Sequence, residues 1–180
     1  MDVCPDSTRF ATGTDRFEMG VWSITTGERL VGPLRHDNYV TGTKFSPNGE
    51  QIATACSSGS IRVFDSRNGN ELITIDTAIP RLAAIIPLAW SSDGQRVFAT
   101  SEDEKIRSFG VSTGAQLAEL EIPSRVRGDD SYPSIALAPN CKFIATLADL
   151  IPGRIDTDSD WPACHPGRCK HSVDCHLPGQ

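Results

Sequence analysis

The sequence has no long apolar stretch, no cluster of basic residues and no helical periodicity, and each absence excludes a class of protein. The longest apolar run, residues 82–90, is nine residues long and contains Pro87, so it is far too short to cross a membrane. No run of Lys and Arg occurs, and the formal net charge is −6. We therefore expect no binding to nucleic acid or to anionic lipid.

The N-terminal residues lack the basic start and apolar segment of a signal peptide. We expect a soluble cytoplasmic protein, with the nucleus as the alternative location, whose cysteines are reduced. Cys4, Cys56 and Cys141 are widely spaced along the chain. They are predicted to be small buried residues or turn residues rather than disulfide partners.

The usual signs of catalysis are also missing. The acidic residues 102–104 and 129–130 are predicted to be solvated turns, and the Arg-Gly-Asp triplet at 127–129 is a chance combination in a surface insertion at 124–133. Glycines occur one per turn and never as a phosphate-binding cluster. We predict that the chain is not an enzyme, with no catalytic, cofactor-binding or metal-binding residues and no cofactor.

What the sequence does have is an internal repeat. A shift of 42 residues places 10–12 on 52–54, and a shift of 45 places 45–49 on 90–94. A further shift of 47 places 96–99 on 143–146, and nothing after Ala148 continues the pattern. Such a period is typical of repeat architectures built from one supersecondary unit.

Each repeat reads as β-structure, because short apolar alternations of period 2 are separated by Asn-Gly, Asp-Gly and Ser-Gly turns. Four strands per repeat suit one blade of a β-propeller. The predicted strands are 9–14, 18–24, 39–45, 51–55, 61–65, 72–76, 83–90, 96–101, 105–111, 116–122, 134–138 and 142–148.

The segments FSPNGEQIATACSSGSIRVFD at 45–65 and WSSDGQRVFATSEDEKIRSFG at 90–110 resemble the WD-repeat family. The resemblance covers residues 1–148 and implies an all-β fold, a WD-repeat β-propeller fragment. We expect two complete four-stranded blades flanked by partial blades, followed by a disordered tail. The boundaries are 1–33 for the last three strands of one blade, 34–77 and 78–123 for the complete blades, 134–148 for two strands of another, and 149–180 for the tail.

The resemblance also implies a buried hydrogen-bonded network in each blade, and this sequence departs from it. One blade offers His36, Thr54 and Phe64, but Ser58 replaces the aspartate. The next blade has Asp103, with Arg81, Ala99 and Phe109 in the places of the other members. We therefore predict that packing holds the blades together. The side chains predicted to be buried between blades are Ile52, Ile61, Val63, Val97, Ile106, Leu72 and Leu117.

The predicted function is a non-catalytic scaffold that binds other proteins, as a WD-repeat module truncated from a larger protein. Uncovered blade faces predict that the chain self-associates to complete a ring, aggregates, or folds only alongside missing repeats. The alternative is a small zinc-binding protein that acts through its tail. The candidate ligands are Cys164, His165, Cys169, His171, Cys175 and His176.

Overall fold

The computed structural model describes residues 1–77, 88–100, 105–121, 135–137, 143–146 and 150–152. The described residues form β-strands joined by turns, as the sequence predicted, and contain no helix long and apolar enough to cross a membrane. Every predicted strand has a counterpart in the structure. Residues 83–87 of the predicted strand 83–90 lie outside the described residues, as do 124–133.

The strands form four antiparallel sheets, each made of strands that follow one another in the chain. The first sheet contains β1 (Asp2–Val3), β2 (Arg9–Gly13), β3 (Glu18–Ser23) and β4 (Arg29–Arg35). The second contains β5 (Val40–Phe45), β6 (Gln51–Cys56), β7 (Ser60–Asp65) and β8 (Glu71–Asp76). The third contains β9 (Leu88–Trp90), β10 (Arg96–Thr100), β11 (Lys105–Gly110) and β12 (Gln116–Glu121). The fourth contains β13 (Ile135–Leu137), β14 (Phe143–Thr146) and β15 (Leu150–Pro152).

Two sheets contain more strands than the sequence predicted. The first sheet has four strands rather than three, because the two-residue β1 pairs with β2. The fourth sheet has a third strand, β15, which pairs with β14 and lies past the point where repeat similarity stops. Residues 153–180, most of the expected tail, lie outside the described residues, and their disorder stays a prediction.

Apolar side chains fill the spaces between neighbouring sheets. One core joins the first and second sheets, and the other joins the second and third. Five of the seven side chains predicted to be buried are so: Ile52, Ile61, Val63, Val97 and Ile106. Cys4 and Cys56 are also buried and form no disulfide, as expected, while Cys141 lies outside the described residues.

The prediction was wrong for Leu72 and Leu117, which are 50% and 51% exposed. Both lie on the outermost strand of their sheet, at a shift in strand register. Val63 pairs with Ile73 and Phe64 pairs with Glu71, so Leu72 has no paired residue on β7. Leu117 on β12 likewise has no paired residue on β11. A β-bulge leaves its extra residue unpaired and re-aims its side chain, which explains the exposure.

Candidate interaction surface

Three loops lie together at one end of the first two sheets. They are the β2–β3 hairpin, the β4–β5 connection and the β6–β7 hairpin. Backbone hydrogen bonds join them: His36 N–H donates to the Phe17 carbonyl over 2.8 Å, and Ser57 N–H donates to the Tyr39 carbonyl over 2.9 Å. Val40 N–H donates to the Thr14 carbonyl over 3.2 Å. The loops are therefore fixed to one another, and we call them together the loop surface.

The loop surface carries an exposed aromatic pair. The rings of Phe17 and Tyr39 meet edge to face with centroids 5.2 Å apart and planes at 70°. Phe17 is 41% exposed and Tyr39 is 51% exposed. Edge-to-face contact is a favoured aromatic geometry, so the two rings hold each other in place while remaining open to solvent. Rigid exposed aromatics of this kind are enriched among the residues that dominate protein–protein binding.

The backbone of Phe17 has φ +63°, in the left-handed region that a bulky residue seldom adopts. The neighbouring turn is held by Thr14, whose N–H and hydroxyl both donate to the Glu18 carbonyl. An unfavourable backbone conformation at a non-glycine residue persists only where surrounding contacts impose it. Here the left-handed conformation of Phe17 places its aromatic ring in solvent beside Tyr39.

The β4–β5 connection, which carries Tyr39, also carries an ion-paired residue, Asp37. Arg62 of β7 forms an ion pair with the exposed carboxylate of Asp37 and a longer one, at 3.8 Å, with Glu71. Its guanidinium also donates to the Arg35 carbonyl over 3.2 Å. An aromatic centre with a polar, hydrogen-bonded edge is the usual anatomy of a protein-binding surface.

His36 lies buried beneath this surface. Its Nδ1 is 3.0 Å from the Leu34 carbonyl, which can only accept, so Nδ1 carries the proton. Nε2 lies 2.8 Å from the Thr54 hydroxyl, which also lies 3.3 Å from the Arg62 carbonyl. The ring also meets Phe64 edge to face, with centroids 5.5 Å apart. His36 thus connects the β4–β5 connection to β6.

Burial lowers the pKa of His36 below its ordinary value. The hydrogen bond to the Leu34 carbonyl acts in the opposite direction, and the charge of Arg62 adds to the lowering. Desolvation disfavours the imidazolium and so favours the neutral ring, in which Nδ1 donates to the Leu34 carbonyl and Nε2 accepts from the Thr54 hydroxyl.

The structure corrects one detail of the predicted network. His36 and Thr54 do bond to each other, so a polar contact supplements the apolar packing in this blade. The hydroxyl of Ser58, which stands in place of the aspartate, lies 3.3 Å from the Ser60 hydroxyl. The second imidazole nitrogen of His36, Nδ1, bonds instead to the Leu34 carbonyl. In the third sheet Ala99 and Phe109 are buried, while Arg81 and Asp103 lie outside the described residues.

The sequence reading missed an equivalent pair in the first sheet. Trp22 Nε1 donates to the Thr12 hydroxyl over 3.0 Å. The signal was present, since the 42-residue shift places Thr12 on Thr54 and Trp22 on Phe64. The first sheet therefore keeps the indole–hydroxyl part of the family network, and the second keeps the hydroxyl–imidazole part.

Within the described ranges, no group of three or more His, Cys, Asp or Glu side chains is placed to hold a metal ion. The zinc alternative depends on residues 164–176, all of which lie outside those ranges. The absence of catalytic and cofactor sites stays a prediction.

Comparison with known proteins finds similarity to WD-repeat proteins. Residues 15–86 match the model of the anaphase-promoting complex subunit 4 WD40 domain. The periodic tryptophan protein 2 homolog of Schizosaccharomyces pombe is 25% identical over 142 residues, which cover 78% of this chain and 16% of that protein. WD repeat-containing protein 1 of Mus musculus is 24% identical over 91 residues, covering 51% of this chain and 15% of that protein.

The small ribosomal subunit protein RACK1 of Caenorhabditis elegans is 30% identical over 120 residues, covering 63% of this chain and 36% of that protein. The chain thus spans between 15% and 36% of the length of these three relatives. The sheets of consecutive antiparallel strands and the spacing of the repeats agree with these similarities. These findings support a WD-repeat family with a partial set of repeats.

Proposed function

We propose that this chain is a non-catalytic scaffold that binds other proteins through the loop surface. The observation that carries the proposal is the pair Phe17 and Tyr39, two exposed aromatic rings on loops that backbone hydrogen bonds fix together. A preorganised aromatic pair binds with a small loss of side-chain entropy, because its rings already contact each other. Function carried on loops above a rigid β-framework is a common arrangement.

One matched family model and one relative support the same class of function by their names. The matched family model describes a subunit of the anaphase-promoting complex, and the Caenorhabditis elegans relative is named as a protein of the small ribosomal subunit. Both names describe parts of multi-component assemblies. The net charge of −6 favours protein partners over nucleic acid or anionic lipid. A cytoplasmic location, with the nucleus as the alternative, is part of this proposal.

The test is affinity capture by the full chain from an extract of the cells that produce it. The comparison uses Phe17→Ser and Tyr39→Ser against Leu117→Ser, since Leu117 is as exposed as Tyr39 but lies on the outer strand of the third sheet. We expect wild type and Leu117→Ser to retain the same proteins, and both aromatic variants to lose them. Retention that is equal in all four chains would contradict the proposed surface.

Circular dichroism of each variant provides the folding control. Both aromatic residues are about half exposed, so their removal is expected to leave the β-spectrum unchanged. The partners that survive the comparison are then tested with purified components, by titration of each partner against wild type and Tyr39→Ser.

A further inference from the structure

Two turns of the second sheet contain an asparagine followed by a glycine. Asn48 and Gly49 lie in the 46–50 turn, between β5 and β6, and Asn68 and Gly69 lie in the 66–70 turn, between β7 and β8. Both asparagines are exposed, and the two glycines have positive φ, +71° and +76°. The two turns therefore offer the same pair of residues in a similar backbone conformation.

An asparagine followed by glycine is chemically labile. The glycine nitrogen can attack the side-chain carbonyl carbon of the asparagine and close a five-membered ring, and glycine has no side chain to obstruct that approach. The reacting groups must first leave the contacts that they make in the folded chain. Those contacts therefore determine which of the two asparagines reacts.

The glycine nitrogens are held alike in the two turns. Gly49 N–H donates to the Ser46 carbonyl over 2.8 Å, and Gly69 N–H donates to the Asp65 carbonyl over 3.0 Å. Each of these bonds must break before the nitrogen can attack, so this cost is common to both turns. The glycine nitrogens thus slow both reactions and do not distinguish the two sites.

The side chain of Asn48 is held by three hydrogen bonds. Its Oδ1 lies 2.7 Å from the Ser46 hydroxyl and accepts from the Glu50 N–H over 3.1 Å, and its Nδ2 donates to Glu50 Oε2 over 3.0 Å. The Gly49 carbonyl also accepts from the Ser66 hydroxyl over 2.6 Å. The side chain of Asn48 and the glycine that follows it are therefore both fixed by polar contacts.

The side chain of Asn68 is held less firmly. Its Oδ1 accepts from the Asn70 N–H over 2.8 Å, and its Nδ2 has no hydrogen-bond partner among the residues that the structure describes. Gly69 lies against an apolar side chain, since a Cβ there would meet Val31 Cγ1 at 2.7 Å. Asn68 can therefore turn towards the glycine nitrogen with the loss of fewer hydrogen bonds than Asn48.

We propose that Asn68 is a site of spontaneous deamidation in the folded chain. The Gly69 nitrogen attacks Cγ of Asn68 and loses its proton, the Cγ–Nδ2 bond breaks, and the amide nitrogen leaves as ammonia. Water then opens the succinimide ring at either carbonyl carbon. Hydrolysis of the bond from the Gly69 nitrogen to Cγ gives aspartate, and hydrolysis of its bond to the main-chain carbonyl carbon gives isoaspartate. No oxidant or reductant takes part.

Either product weakens the 66–70 turn and its contact with the first sheet. Asp65 Oδ1 accepts from the N–H groups of Arg67 and Asn68 over 2.8 and 3.1 Å, so a new carboxylate forms beside an existing one and is repelled by it. Isoaspartate also adds a carbon to the main chain directly before Gly69, which lies against Val31 of the first sheet. Deamidation is therefore expected to loosen the contact between the first two sheets.

Peptide mass spectrometry of the full chain during incubation at mildly alkaline pH tests the proposal. Trypsin places the two sites in separate peptides, 45–62 and 68–81, and fragmentation separates Asn68 from Asn70. We expect Asn68 to convert at least about fivefold faster than Asn48, because two additional hydrogen bonds must break at Asn48. In the urea-unfolded chain these contacts are absent, and the two sites should convert at similar rates.

Glu50→Ala is the matched variant, because it removes the acceptor of the Asn48 Nδ2 from an exposed position. It should accelerate conversion of Asn48 and leave the rate at Asn68 unchanged. Asn68→Asp forms one of the two products directly. It should lower the midpoint of thermal unfolding relative to Asn68→Ser, which adds no charge.

Equal rates at the two sites in the folded chain, or faster conversion of Asn48, would overturn the proposal. So would an Asn68 that stays intact in the folded chain while the unfolded chain converts. Equal midpoints for Asn68→Asp and Asn68→Ser would contradict the effect of the new carboxylate on the turn. The loop surface lies at the other end of β7, so Phe17→Ser and Tyr39→Ser should deamidate like wild type.

Discussion

The Nε2 atom of His36 and the hydroxyl of Thr54 lie 2.8 Å apart, joining the β4–β5 connection to the middle of the second sheet. His36 and Thr54 are both buried. The contact links the loop that carries Tyr39 to a strand covered on both faces. The position of the loop surface therefore depends on a polar pair inside the fold.

Thr54→Val should destabilise the chain by about 1–3 kcal/mol, because it leaves the Nε2 of His36 buried without a hydrogen-bond donor. The control is Thr74→Val, since the Thr74 hydroxyl bonds to Glu71 at an exposed position of β8. That change should alter the free energy of unfolding by less than about 0.5 kcal/mol. Urea unfolding of both variants provides the measurement, and equal effects would contradict the assigned bond.

Stability should fall as the pH is lowered below the ordinary pKa of histidine. The pKa of His36 is lowered in the folded chain, so the unfolded chain takes up its proton first. Full stability is present above the unfolded pKa and is lost as the pH falls from there toward the folded pKa. His36→Gln should lack this part of the pH dependence. Denaturation midpoints compared near neutral and mildly acidic pH test the assignment, which fails if the two profiles remain parallel.

Ile61→Ala should destabilise the chain by about 2–4 kcal/mol, because Ile61 is fully buried in the core between the second and third sheets. Leu72→Ala deletes a similar volume from the half-exposed bulge on β8 and should cost much less. The two midpoints of chemical denaturation give the comparison. A cost for Leu72→Ala as large as that for Ile61→Ala would show that the bulge assignment is wrong.

Gly69→Ala should destabilise the chain more than Gly27→Ala. The two glycines have φ of +76° and +71°, so the backbone cost of a Cβ, about 1–2 kcal/mol, is shared. Only at Gly69 would that Cβ press against Val31 and Leu34 of the neighbouring sheet. Thermal unfolding of the two variants measures the difference. If the two variants unfold together, the second sheet does not approach the first as closely as described.

Most of the strand order could be predicted from the sequence, because the repeats return the same alternation and the same turns at near-constant spacing. Strand β4 was not placed, since its Gly32 and Pro33 are typical of a break in a strand. Strand β1 has two residues, too few to show an alternation of apolar and polar side chains. Tertiary pairing with neighbouring strands defines both elements.

The two leucines show a different limit. Period-2 alternation assigns a face correctly only while the register is continuous, and the bulges at Leu72 and Leu117 interrupt it. The loop surface was also beyond the sequence reading. Phe17 and Tyr39 lie 22 positions apart in the printed sequence, and only the joined loops bring their rings into contact.

Amide hydrogen exchange of the full chain, followed by mass spectrometry, tests most directly whether the sheets stack as blades. The second sheet is covered on both faces, so peptides from β6 and β7 should exchange most slowly. Peptides from the turn after β7, where Arg67 and Asn68 are exposed, should exchange faster. Exchange of β6 and β7 at the rate of that turn would contradict a stack of sheets held together by the apolar contacts between them.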